Sequence, residues 1–173
     1  MRCMTGIPER SEAAPYYFTY IDRVTNPDVL AELQTQLDSS THFLRGISEE
    51  KSRHRYAPDK WSIREVLNHI NDAERTFAFR ALWFARGFDA PLPSFDQNVS
   101  SSAAKAGEHS WASHIEDFRA VRLATLTLFR TMPEEAWSRK GIASGSSFTV
   151  RALAYVIAGH LAHHRAIIET KYL

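Results

Sequence analysis

Sulfur is nearly missing from this 173-residue chain, which has one cysteine, Cys3, and three methionines. A single thiol makes no internal disulfide and no thiolate zinc cluster, and so near a chain end it is a poor candidate for a reactive nucleophile. Any sulfur chemistry would have to bring its thiol with a substrate. An excess of charge of one sign is missing too, with 21 Lys and Arg against 20 Asp and Glu. The most basic stretch, Lys51-Ser52-Arg53-His54-Arg55, reads as a solvated loop, so nucleic acid is not an expected partner. Arg80, Arg86, Arg151 and His160 break the longest apolar stretches well short of a bilayer's width, so no membrane role is expected. The first ten residues lack the apolar core of a signal peptide, and a cytoplasmic location is the expectation. No solenoid-period repeat occurs, and no low-complexity tract exceeds Ser100-Ser101-Ser102.

What is present is helical periodicity. A hydrophobic fraction of 44% with 24% charged residues suits one globular core. The first long helix is predicted from Asp28 to Arg45, with Leu30, Leu33, Leu37 and Leu44 on one stripe, Pro27 at its entry and Gly46 as its stop. The second runs from Ile63 to Arg86 and closes at Gly87; Ser62 and Glu65 form a capping box at its start. The third spans Trp111 to Thr131, with Trp111, Ile115, Phe118, Val121 or Arg122, Thr125 and Phe129 facing inward. The fourth starts at a Thr149 or Ser147 cap and continues to Lys171. A long connection from Phe88 to Ser110 links helices two and three; such a segment would join parallel or distant helices and can cross a cleft. Residues 137–149, with two glycines and several serines, read as a loop or a short hairpin. The fold class is therefore all-α: a four-helix bundle in residues 27–173, preceded by a partly ordered N-terminal extension, residues 1–26.

Inside the apolar stripe of the last helix stand two histidines one turn apart. Val150, Leu153, Ile157, His160, Leu161, His164, Ile167 and Ile168 follow steps of three and four, so His160 and His164 occupy positions where apolar side chains are expected. Two buried imidazoles at that spacing would repel if both were protonated, and each needs partners for its ring nitrogens. A divalent cation meets both needs by taking one lone pair from each neutral ring. The alternative is a pair of core histidines satisfied by carbonyl groups. A third ligand would decide for metal, and His69 is a candidate: it flanks the core face of the second helix, beside Val66 and Ala73. Taken singly, a histidine there is usually a solvated or capping group.

The run Tyr56-Ala57-Pro58-Asp59-Lys60-Trp61-Ser62-Ile63-Arg64-Glu65-Val66-Leu67-Asn68-His69-Ile70-Asn71-Asp72-Ala73-Glu74, followed far downstream by Gly159-His160-Leu161-Ala162-His163-His164, resembles the DinB-like (DinB/YfiT) superfamily of metal-binding four-helix proteins. The resemblance covers nearly the whole chain after Asp28. It implies His69, His160 and His164 as the ligands of one divalent ion, zinc, nickel or iron, in an open site; His163 is not implied. It also implies activation of a small thiol in an S-transferase, the favoured expectation, or of water in a metal-dependent hydrolase. A stress-related metal-binding protein without turnover is the reading outside enzymology. The expected partner is a small-molecule substrate such as a low-molecular-weight thiol.

No complete catalytic set emerges from the remaining residues. Asp72 shares part of the His69 face and can orient a ligand, accept a proton or pair with Arg75. Glu74 points away from His69 and has no basic residue three or four positions off, so it reads as surface. Asp96, Gln97 and Asn98 lie on the long connection, unplaced. Trp61 is expected to pack as a staple on helix two or to wall the pocket. His42, His54, His109 and His114 read as surface or capping groups. The aromatic run from Phe77 to Phe84 suggests a second buried face and hence a homodimer, which a 19.7 kDa species in sedimentation would reject.

Overall fold

The computed structural model describes residues 6–173, so Cys3 lies outside the described residues. Four long helices, α2 (Val29–Arg45), α3 (Ile63–Ala85), α5 (Trp111–Arg130) and α6 (Val150–Ile167), form a bundle. Each begins where a side chain takes up backbone N–H groups that the first turn leaves unbonded. Asp28 Oδ1 accepts from Leu30 and Ala31, Ser110 Oγ from Ser113, and Thr149 Oγ1 from Ala152. For α3 the capping box is reciprocal, Ser62 Oγ accepting from the Glu65 N–H while Glu65 Oε2 accepts from the Ser62 N–H at 2.7 Å. The same helix stops at Gly87, whose φ of +81° a side chain would oppose. There the Phe88 N–H reaches the Trp83 carbonyl, and the two rings stack at 4.1 Å. Gly46 also follows the end of α2, but in ordinary right-handed geometry.

Helix α3 packs against both α5 and α6, and α2 packs against the same two, so α2 and α3 lie diagonally across the bundle. Their inner stripes meet in a core that includes Leu33, Leu67, Phe84, Phe118, Leu126 and Phe129, all buried. The second half of the chain's centre is α6, buried on every face from Val150 to Leu161 except Arg151. A polar knot crosses this core. The Arg122 guanidinium of α5 forks onto Glu74 of α3 at 2.9 Å through Nε and through Nη2, and its Nη1 donates to Gln36 of α2 at 3.0 Å. Gln36 in turn donates to the Ala158 carbonyl of α6 at 3.0 Å. Glu74 is thus not the surface residue its own helix suggested: its partner sits 48 positions away on another helix. His114 is likewise not a surface group, since it is buried and its Nε2–H donates to the Ala106 carbonyl at 2.9 Å.

Three smaller pieces frame one end of the bundle. The N-terminal segment carries α1 (Phe18–Ile21), which packs on α6 so closely that a Cβ on Gly159 would fall 2.1 Å from the Tyr20 carbonyl oxygen. The glycine is there for that approach. A hairpin, β1 (Lys140–Ala143) and β2 (Ser146–Thr149), turns through Ser144 and Gly145, both at positive φ as a tight hairpin turn requires. The long connection joins two parallel helices, as expected, and they are neighbours: contacts between α3 and α5 advance together from Asn71–Asp117 to Glu74–Arg122. The connection carries a short helix, α4 (Gln97–Ala104), capped by Asp96. Leu92 of the same connection bridges to Ala143 of the hairpin. No helix is long and apolar enough to cross a membrane among the described residues.

Candidate metal centre

Helices α3 and α6 lie face to face, which brings the histidine of one against the pair of the other. The Nε2 atoms converge: His160 Nε2 is 3.1 Å from His69 Nε2 and 3.1 Å from His164 Nε2. All three ligand atoms lie within 4.8 Å of one another. His69 and His160 are buried and His164 is half-buried. His163, on the next face, packs edge-on against Tyr20 and His164 and does not join the cluster.

The donor set can be tested against a divalent ion. Zinc–nitrogen bonds of about 2.0–2.1 Å at tetrahedral angles put ligand nitrogens a little over ~3 Å apart, close to the two separations found. A protein without a cation has difficulty with this arrangement. Three nitrogens aimed at one point, two of them equidistant from the third, are not all satisfied by hydrogen bonds among themselves, whichever tautomers the rings adopt. Electrostatics points the same way. Burial pushes His69 down to about 4, against a weaker upward pull from Asp72, and burial together with His69 and His163 pushes His164 down to about 3. Burial also holds His160 well below the ordinary imidazole range, helped by its three histidine neighbours. All three rings are therefore neutral at neutral pH, the form that offers a lone pair to a metal.

Aromatic rings hold the imidazoles in place. Trp61 lies 5.0 Å from His69, and Tyr20 and Phe77 stand edge-on to His160 at 5.3 and 6.3 Å. The Trp61 carbonyl accepts from the Tyr172 hydroxyl at 2.7 Å, which ties the residue before the α3 cap to the turn after α6. Asp72 does not face the cluster as a free base. Its carboxylate accepts from Asn68 and from Ser100 of α4, both at 3.0 Å, and lies 3.6 Å from Arg75. Asp96 is spent as the α4 cap.

Beside His69 and His160 opens a cavity of about 240 Å³, walled by Tyr16, Tyr17, Tyr20, Thr76, Phe77 and Arg80 and closed by Phe95 and Gln97 of the connection and Ser144 of the hairpin. A larger groove, about 440 Å³, runs between α3 and α5, but Arg75 is its sole ionisable lining residue and no metal-ligating cluster borders it. The chemistry belongs to the smaller cavity. Gln97 was read from the sequence as a residue of unknown place; Arg80, Tyr17 and Tyr20 were missed, and two separate segments, α3 and the N-terminal segment, deliver them to one wall. Arg80 was legible in principle, because it follows His69 by eleven residues and so returns to the same face of α3.

A four-helix bundle with three inward histidines on two facing helices defines a class of candidate metal-site bundles. A profile of the DinB superfamily matches residues 32–168, and the chain belongs to that superfamily. Its fold is similar to a solved structure, "YfiT from Bacillus subtilis is a probable metal-dependent hydrolase with an unusual four-helix bundle topology", with a TM-score of 0.65 and 13% identity over 84% of this chain and 89% of that one. None of the curated proteins matches the chain.

Proposed function

We propose that this protein is a metal-dependent enzyme in which His69, His160 and His164 hold one divalent ion and the adjoining cavity presents a small substrate to it. The observation that carries this reading is the convergence of three neutral Nε2 atoms at spacings a tetrahedral ion would occupy. Such an ion supplies Lewis acidity, which lowers the pKa of a thiol or of water placed in a remaining coordination position. The chain's own side chains do the rest. The tyrosines and Phe77 exclude bulk water, and Arg80, Gln97 and Ser144 offer polar contacts at the cavity wall.

A thiol-dependent S-transferase fits this wall better than a hydrolase. Splitting an ester or amide with water needs a base to remove protons, and no carboxylate lines the cavity. A thiol, with an ordinary pKa of about 8.5 against about 15.7 for water, ionises beside a cation without that help. The hydrolase reading is supported by the description of YfiT, whose fold this chain shares.

The first test is metal content. Purified or reconstituted protein should carry about one divalent ion per chain, and His160→Ala should carry none; no ion in the wild type after reconstitution would remove the reading. The second compares a panel of small thiols with electrophiles against a panel of esters and amides. A metal-dependent conjugate identifies the transferase, hydrolysis identifies the other enzyme, and silence in both with metal bound points to a binding protein without turnover.

A further inference from the structure

The cavity beside the three histidines ends in a charge that no acidic side chain neutralises. Arg80 is 4% exposed, yet among the described residues no carboxylate pairs with it. The other two arginines buried as deeply each have one, Arg64 in Glu49 and Arg122 in Glu74. Residues 1–5 contain no Asp or Glu that could serve. Arg80 Nη2 donates to the Pro93 carbonyl at 3.1 Å and to Ser144 Oγ at 2.9 Å, and the Tyr17 hydroxyl lies beside it. All of these are uncharged groups. A guanidinium has five N–H donors in a planar fork, and an anion is the partner that such a buried fork lacks.

Arg80 and the histidines share one wall. His69, Ala73, Thr76, Phe77 and Arg80 recur at helical spacing along α3, and all of them line the cavity. Three turns of helix separate His69 from Arg80, roughly 16 Å of rise, and since both side chains lean toward the N-terminus, the longer Arg80 side chain reaches further back than that of His69 and shortens the gap. The Phe77 ring lies between the two ends, its centroid 6.3 Å from the His160 ring and 5.7 Å from Arg80 Cζ.

We propose that Arg80 is a substrate-binding residue that takes a carboxylate, so that the site accepts a small organic acid whose other end reaches the three-histidine centre. This rests on the metal-enzyme reading above. A carboxylate matches this end of the cavity better than a phosphate dianion: the lining offers one guanidinium and no second arginine or lysine, and a carboxylate carries one charge and takes paired N–H groups. The Phe77 and Phe95 rings fit an apolar spacer between the two ends.

The test uses the full chain loaded with cobalt(II), whose visible spectrum reports what joins the metal. Two probe families are titrated over a series of tail lengths: ω-mercapto acids against their methyl esters, and hydroxamates with a carboxylate tail against theirs. The hydroxamates read Arg80 whether or not thiols bind. At the best length the acid should bind roughly tenfold or more tightly than its ester, the scale of one charge-assisted pair. Arg80→Gln should erase that preference while ester affinity stays, and Arg80→Lys should keep part of it. Equal binding of acids and esters at every length in the wild type overturns the proposal, and that comparison needs no variant to fold. A preference surviving in Arg80→Gln, or stronger binding of phosphonate tails than of carboxylate tails, also overturns it. Failure of the metal reading looks different, because cobalt then fails to bind at all. In that event the same pairs are compared by their shift of the unfolding temperature, where stabilisation by acids alone supports the assignment and equal shifts reject it.

Discussion

His160 is the pivot of the cluster, 3.1 Å from the Nε2 of each partner, and it is the most deeply buried of the three rings. Because burial depresses all three histidines, protons compete poorly with a metal there. Divalent-metal affinity, measured by competition with a chelator, should stay nearly flat from pH 8 to about 6, whereas a site of exposed histidines would weaken through its ordinary pKa near ~6.5. A steep loss over that interval would contradict the burial. At the same scale, Glu74→Ala should cost about 3–5 kcal/mol in urea unfolding, since it leaves the Arg122 guanidinium unpaired in the core. The histidine pair was legible because a period of 3.6 shows which residues share a face. Glu74 and Arg80 were not. Their surroundings come from other segments, and a rule that checks three or four positions along the same helix is blind to a partner on another one.

Element ends were easier to read than element neighbours. Caps act within three residues, so Ser62 marked α3 and Thr149, one of two candidates with Ser147, marked α6. Asp28, read as the first helical residue, is the cap of α2, and the Asp96 cap of α4 was hidden among serines that read as loop. The role of Gly159 was invisible, because it depends on where Tyr20 lies. Gly159→Ala should destabilise by about 1–3 kcal/mol through overpacking against the Tyr20 backbone, despite the gain of up to about 1 kcal/mol in helix propensity. Gly107→Ala is the control, within about 0.5 kcal/mol of wild type, since a Cβ there meets nothing within 4 Å. The start of α6 carries a pH dependence as well. Burial pushes Glu12 up, but hydrogen bonds from Arg151, the Glu9 N–H and Thr149 outweigh it and hold the carboxyl below the usual range. A depressed carboxyl contributes fully above its unfolded pKa of about 4.3 and loses that contribution as pH falls through the folded value. Glu12→Gln should therefore lower the melting temperature at pH 7, and the deficit should shrink below about pH 4.

At the scale of the whole molecule, the order of helices around the bundle was not written in their stripes. Amphipathic faces say that helices pack, and the diagonal placement of α2 and α3 follows from what the connections and the Arg122 knot allow. That placement leaves α3 against α6, so one ion would clamp the two helices that build the cavity. An ion that binds the native site and not the unfolded chain stabilises by mass action, about 2.7 kcal/mol when free metal is 100-fold above its Kd. For a chain of this length that corresponds to a melting temperature roughly 5–10 °C above that of chelator-treated protein. The buried rings should also weaken the fold in acid, with or without metal. His69 and His164 titrate at about 4 and about 3 in the fold, so between pH 6.5 and 4 the unfolded chain takes up protons that the native site refuses. Loaded and stripped protein should thus lose stability in parallel as pH falls from 6.5 towards 5, the gap between them staying nearly constant because neither native form takes up protons there, and His164→Ala should melt identically with and without metal. Wild-type protein that melts at one temperature in both conditions would mean that the three rings converge without holding an ion in solution.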